Sequence, residues 1–326
     1  RNGVSRAGKA LASAPAPSRA PTWTEAAAAH LCAQADADAR VIAITPAMVE
    51  GSGLQGFRAR FPDRLFDVGI AEQHAVTLAG GLATEGMRPV VAIYSTFLQR
   101  AWDQVIHDIA LQRLPVTFLI DRAGLVGPDG PTHAGSFDLA LGMSVPNLAL
   151  AVPADQRDLE SAMDWALNHD GPVLIRYPRD RCPADLGGET LGEEPTAPRR
   201  VRAGRSVLVI GIGAMVERLM AVCEELDATL IDLRWARPWE IQTLATLADE
   251  HDALVTVEEG SRIGGVGSEL LLALAEHGVN RPGLRLGIED RFIEHGSREE
   301  CLADTGLDSP SIADTIAAFL DQLSAT

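Results

Sequence analysis

Apolar and polar positions along the chain fall into short blocks. VIAITPAM, LFDVG, RPVVAIYS, PVTFLID, NLALAVPA and PVLIRYP are brief apolar runs without alternation, the pattern of strands buried on both faces. Between them lie stretches of helical spacing: TEAAAAHLCAQA, which Thr22 or Thr24 can cap, the run from Glu72, FLQRAWDQVIHDIALQR and DQRDLESAMDWALNH. Residues 57–61 read as a short helix or turn. In the helix from Phe97 the stripe Leu98, Trp102, Val105, Ile106 and Ile109 is the core face, while Phe97, Arg100 and Gln104 share another. This alternation predicts a parallel α/β sheet over residues 22–185. Residues 186–205 lack a pattern and carry Pro, Gly and mixed charge, as a linker does. A second α/β unit follows over 206–326, with SVLVIGIG, ATLIDLRWARP, ALVTVEE and GLRLGIED between helical runs. The expected fold is therefore two doubly wound α/β domains. The GIGAM and RIGGVGSE turns lack the full glycine fingerprint of a nucleotide loop and read as turns.

One stretch, DVGIAEQHAVTLAGGLATEG at 67–86, stands apart. It reads as a strand end, a turn at Gly69 and a helix opening on Glu72. An acid there complements the helix dipole. It also sits beyond the carboxyl end of a parallel strand, where open α/β sheets place their ligands. Ala75, Ala79 and Ala83 fall on one face beside Gly80 and Gly81, so another helix can approach closely. That face suits a core helix or a subunit interface, and on the second reading it hints at a homodimer.

Composition narrows the function. With 326 residues and 46% hydrophobic content the chain can bury about two cores. A formal net charge of −17 argues against a nucleic-acid or anionic-membrane surface. No apolar run approaches the ~20 residues that span a bilayer. Cys32, Cys182, Cys223 and Cys301 lie far apart, without metal-ligand spacing, and read as free thiols. The start, RNGVSRAGKALASAPAPSRAP, is rich in Arg, Ser and Ala and free of acids. It fits a transit peptide or, as the expectation adopted for residues 1–21, a flexible linker left by something upstream.

Candidate chemistry gathers at predicted strand ends. Phe97 and Arg100, after a strand ending in Tyr94, suit a ligand wall or ordinary packing. The 121–138 loop is longer than most connections and holds Arg122, Asp129 and His133 among glycines. A His near a carboxylate is acid–base material at neutral pH, though a surface loop reads the same way. Arg176, at the end of the sixth strand, could reach the same crevice and suits phosphate, or pairs with a nearby Asp.

The run FPDRLFDVGIAEQHAVTLAGGLATEGMRPVVAIYSTFLQRAWDQVIHDIALQRLPVTFLIDRAGLVGPDGPTHAGSFDLA resembles the 1-deoxy-D-xylulose-5-phosphate synthases, thiamine-diphosphate-dependent relatives of transketolase. VTVEEGSRIGGVGSE and FIEHGSREE resemble that family's C-terminal domain. The resemblance implies a pyrimidine-binding domain followed by a transketolase-type C-terminal domain. It implies condensation of pyruvate with D-glyceraldehyde 3-phosphate, with loss of carbon dioxide, at the entry to the non-mevalonate isoprenoid pathway of the bacterial cytoplasm. Glu72 would hold the cofactor's aminopyrimidine in its reactive tautomer, with Phe97 stacked on that ring and Ile70 lining its pocket. Tyr94, Arg100, Arg122, Asp129, His133 and Arg176 match acceptor-substrate positions, with Arg122 and Arg176 on the phosphate and His133 and Asp129 nearer the reacting oxygens. The family's GDG…N motif for magnesium and diphosphate is absent, and GPDGPTHAG is not that motif. No metal ligand is therefore expected here. The missing N-terminal domain would come from a cleaved fragment or a companion chain, as in the two-subunit 2-oxoacid dehydrogenases, whose beta subunit has a similar layout. A non-catalytic assembly or regulatory subunit is the third expectation.

Overall fold

The computed structural model describes residues 20–325. Residues 1–19 of the expected tail lie outside the described residues. Thirteen strands fall in chain order: β1 Val41–Thr45, β2 Leu65–Asp67, β3 Arg88–Tyr94, β4 Thr117–Asp121, β5 Ala149–Ala151, β6 Val173–Arg176, β7 Glu189–Thr190, β8 Arg199–Arg202, β9 Leu208–Ile212, β10 Thr229–Asp232, β11 Trp235–Arg237, β12 Leu254–Ser261 and β13 Gly283–Ile288. They form two sheets, ordered β11-β5-β6-β4-β3-β1-β2 and β13-β12-β9-β10-β8-β7. The two doubly wound α/β layers expected from the pattern are present.

In the first sheet β1 to β6 run parallel, each central strand covered on both faces by helices. Register brings three strand ends level, with Tyr94 beside Asp121 and Ile120 beside Arg176. The crevice beyond the carboxyl ends of β3, β4 and β6 is where a parallel sheet offers its helix N-termini and loops.

The two layers are interlocked. The segment ATLIDLRWARP divides after Asp232, and β11 crosses to pair antiparallel with β5 of the first sheet. One apolar cluster runs through Ile93, Phe118 and Leu150 of the first sheet and Leu208, Ile210 and Ile231 of the second. The stretch expected as a linker, 186–205, contains β7 and β8, which pair antiparallel at the edge of the second sheet. Its sequence lacks an apolar signature because edge strands need none; Arg199, Arg200 and Arg202 of β8 serve ion pairs instead. Arg199 is 1% exposed and reaches Asp155, Asp158 and Asp232 at 2.7–2.9 Å. Asp155 and Asp158 belong to the first layer and Asp232 to the second, so one guanidinium joins them.

The helix expected from Phe97 is broken. Ser95–Leu98 is α-helical, Gln99–Ala101 tightens to a 3-10 turn, and Val105–Ala110 widens to a π-helix. The widening rotates Ile106 outward to 48% exposure, off the core face it was assigned, while Val105 and Ile109 stay buried. The small-residue face of the Glu72–Thr84 helix is covered by that same stretch: a Cβ at Gly80 would lie 3.0 Å from Ile109 Cδ1. The close approach that suggested a homodimer is thus made within the chain. RIGGVGSE is a turn, closed by a carboxylate from its own strand: Glu258 accepts the N–H groups of Val266 and Gly267 at 3.0 and 2.9 Å.

Candidate active site

Glu72 opens its helix without capping it; the preceding Ala71 offers no side-chain bond. The acid is buried, 3% exposed, and one oxygen accepts from Arg100 Nη1 at 2.5 Å. Arg100 itself is more than half exposed, so the pair sits at the mouth of the crevice. The short β2 ends just before it, leaving Ile70 81% exposed and Phe66 also exposed. An aliphatic and an aromatic side chain thus face outward beside a buried acid.

Phe97 lies one turn before Arg100 and anchors an aromatic ladder. Its ring stacks on Tyr94, centroids 5.2 Å apart, and meets the edge of His133 at 5.6 Å. The Arg122 guanidinium lies 4.0 Å over the other ring of the stack, Tyr94. A cation over an aromatic face gains from the ring quadrupole, and more when water is excluded. Burial pushes the Tyr94 phenol upward in pKa, with Arg122 opposing, so the ring stays a neutral donor.

Arg122 is held from three sides. Its backbone takes a left-handed φ of +55°. Nη1 donates to the carbonyl of Gly51 at 3.0 Å, and the Asp121 carboxylate lies 3.0 Å away. Asp121 is wholly buried and also accepts from Thr24 at 2.7 Å. Burial pushes its carboxyl upward, against the pull of Arg122.

Arg122 lines a cavity of about 550 Å³ together with Thr24, Gly51, Arg179 and Arg181, with Glu25 and Glu50 at its rim. Arg179 reaches across to Asp129, Nη1 to Oδ2 at 2.7 Å. The structure therefore pairs Glu72 with Arg100, gathers Tyr94, Phe97, His133 and Arg122 through ring and cation contacts, and joins Asp129 to the cavity through Arg179. It does not bring Arg176 to the cavity. That side chain is buried, donates from Nε to Asp138 at 2.8 Å and bonds the carbonyl of Glu259. Its role is to bracket the end of the loop against the C-terminal domain, because its place inside β6 points it into the layer between sheets. Arg179 and Arg181, past the strand end, line the cavity beside Arg122 instead. The signal was the cluster RYPRDR, read one basic residue too early.

The 121–138 loop is not the open surface loop its glycines suggest. Ala123 to Gly127 are buried, and Leu125 N–H donates to Glu259 of the C-terminal domain at 2.6 Å.

The donor set fits the aminopyrimidine half of thiamine diphosphate. Glu72 already accepts from a flat nitrogen group, as it would from the ring N–H that the imino tautomer of the aminopyrimidine carries, and Phe97 and Ile70 supply apolar surface on neighbouring elements. The metal half fits less well, since no cluster of three His, Cys, Asp or Glu side chains able to hold a metal occurs among the described residues.

Known proteins match this arrangement. The transketolase pyrimidine-binding domain matches residues 19–184, and the transketolase C-terminal domain matches residues 197–312. The chain belongs to the transketolase family. More narrowly, it is similar to 1-deoxy-D-xylulose-5-phosphate synthases: it is 49% identical over 301 residues to that of Paraburkholderia phymatum, and 48% identical over 309 residues to that of Neisseria gonorrhoeae. These alignments cover 90% and 94% of this chain but 48% of each relative. The chain thus spans about half the length of the curated relatives it matches. Among solved structures, a split-gene transketolase described as an inactive beta4 tetramer aligns with a TM-score of 0.81 at 26% identity, over 93% of this chain and 99% of that one. The transketolase of Campylobacter jejuni aligns with a TM-score of 0.77 at 16% identity, over 92% of this chain and 47% of that one, which speaks to the fold alone.

Proposed function

We propose that this chain is the pyrimidine-binding and C-terminal portion of a 1-deoxy-D-xylulose-5-phosphate synthase, a transferase joining pyruvate to D-glyceraldehyde 3-phosphate with release of carbon dioxide. The observation that supports the reading is a buried Glu72 paired with Arg100, one turn after a Phe97 whose ring stacks on the Tyr94 covered by Arg122 of the cavity. Thiamine diphosphate, when bound, supplies the nucleophilic carbon and the electron sink for a 2-oxo acid. Glu72 would hold a ring nitrogen of the aminopyrimidine through one hydrogen bond, and its burial would keep water from competing for it. Phe97 and Ile70 would offer that ring apolar surface. Arg122 and Arg179 grip the acceptor's phosphate, where planar forks of donors suit a tetrahedral anion. His133, braced by Thr132 at 2.9 Å, would serve as the proton donor to the acceptor's aldehyde oxygen, with Asp129 nearby.

Magnesium and the diphosphate would be held by an N-terminal domain in a bacterial cytoplasmic homodimer. The test is to combine the chain with a protein carrying the GDG…N half, thiamine diphosphate and magnesium. Carbon dioxide released from pyruvate should depend on added glyceraldehyde 3-phosphate. Dependence on a lipoyl acceptor would instead mark a 2-oxoacid dehydrogenase beta subunit, and no release with either would mark a non-catalytic subunit.

A further inference from the structure

We propose that Arg298, on the C-terminal domain, positions the loop carrying Asp129 and His133 and so sets how tightly the arginine-lined cavity holds a phosphorylated acceptor. Arg298 does not line the cavity. It is the first residue of the Arg298–Asp304 helix, fixed by the capping box of Ser297 and Glu300. Its guanidinium is 12% exposed and makes two contacts in opposite directions. Nη2 donates to Glu259 Oε2, and the other oxygen of Glu259 accepts the N–H of Leu125 at 2.6 Å. Nη1 donates to Asp180 Oδ2 at 3.1 Å. Asp180 adjoins Arg179, the residue whose fork meets Asp129. One side chain thus ties the 121–138 loop, which carries Arg122, to the 179–181 segment, both of which line the cavity.

Steric fit adds to the charge network. At Gly130, φ +68°, a Cβ would lie 2.4 Å from His295 Nε2. At Gly127, φ +74°, it would lie 2.7 Å from the backbone nitrogen of Arg298. Only bare Cα atoms let the loop pass this close to residues 295–298. Between Asp121 and Asp138 the loop has the isolated bridges of Gly135 to Ala123 and Gly124 and turn bonds at Gly130 and His133, and the contacts with Glu259 and residues 295–298 add to these from outside. Glu259, buried at 2% exposure, makes the tie a strong one, since a buried acid without its cation is costly.

The proposal rests on the acceptor-site reading for its kinetic half only. Amide hydrogen exchange on the chain itself tests the positioning. Arg298→Ala should speed exchange of amides in 124–135 by about tenfold, with Asp180→Asn intermediate and Arg298→Lys close to wild type, while β9 and β12 stay unchanged. In enzyme assembled with its diphosphate-binding half, Arg298→Ala should raise KM for glyceraldehyde 3-phosphate by about tenfold, with Arg298→Lys close to wild type, leaving KM for pyruvate and kcat within about twofold. If Arg298→Ala loosens the whole fold, Asp180→Asn decides, because it spares the Arg298–Glu259 pair. Loop exchange equal to wild type in Asp180→Asn, or a kcat loss matching the KM change, overturns the proposal. Loop exchange that responds as stated, without turnover on any acceptor, upholds the positioning and rejects the acceptor reading instead.

Discussion

Arg100 folds back over Glu72, 28 residues away in sequence, and closes a 2.5 Å contact with an acid that is almost fully buried. The arginine remains more than half exposed, so the pair is asymmetric: a fixed carboxylate and a displaceable cation. An exposed ion-pair partner contributes little to stability. A ligand with a flat nitrogen donor can therefore take the Glu72 carboxylate without dismantling the helix that presents it.

Ile70 offers a clean test of that presentation. Its side chain is solvent-facing here, so Ile70→Asp should leave the melting behaviour of the chain within about 0.5 kcal/mol of wild type. In the assembled enzyme the same change should weaken thiamine-diphosphate binding severalfold, read by titration of the cofactor. Loss of stability without any change in cofactor affinity would remove Ile70 from the site.

The acceptor cavity is checked at Arg179. A charge-assisted hydrogen bond contributes about 1.5–3 kcal/mol, so Arg179→Ala should raise KM for glyceraldehyde 3-phosphate roughly tenfold to a hundredfold. KM for pyruvate should hardly move. Arg176→Ala differs in kind: it strips the buried partner of Asp138, so a thermal melt should show destabilisation before kinetics show anything specific.

Stability should depend on pH through Glu258. Burial pushes its carboxyl from the ordinary 4.5 up to about 7, opposed by the Gly267 and Val266 N–H groups and by Arg176, with Asp138 adding to the rise. The folded chain thus holds a proton that the unfolded chain releases between pH 4.5 and about 7. The group's stabilisation is complete below that window and is lost as pH rises through it. Against Glu258→Gln, wild type should lose about 3 kcal/mol between pH 4.5 and 8, measured by denaturant unfolding at each pH. Parallel pH profiles for the two proteins would contradict this.

Arg199 is the mechanical link between the layers. Removing it strands Asp155, Asp158 and Asp232, the last already pushed upward by burial and by the neighbouring Asp158. Arg199→Met should cost about 3–5 kcal/mol in urea unfolding. A loss below 1 kcal/mol would mean the carboxylates find protons or water at little expense.

Much of the fold was legible because buried parallel strands announce themselves as unbroken apolar runs. VVAIY and TFLID fell where expected, as β3 and β4. What escaped has physical reasons. Trp235–Arg237 is a strand of three residues whose partner lies across the domain boundary, and no local pattern encodes that. Ile106 kept helical spacing on paper, but spacing assumes 3.6 residues per turn and the chain widens there. Arg176 and Arg179 differ by three positions; only the end of β6 decides which one faces solvent. Glu72 stood out because an acid at a strand-to-helix turn is a local signal, whereas its contact with Arg100 depended on tertiary geometry. The long loop was marked by length, while its burial under Glu259 and Arg298 was invisible until both domains were in place.

The central claim is that Glu72 sets the proton arrangement of a bound pyrimidine ring. Its most direct measure is the turnover of Glu72→Gln in enzyme assembled with the diphosphate-binding half, at saturating thiamine diphosphate. The account predicts a fall in kcat of roughly a hundredfold or more with the fold intact. A kcat within about threefold of wild type would contradict it.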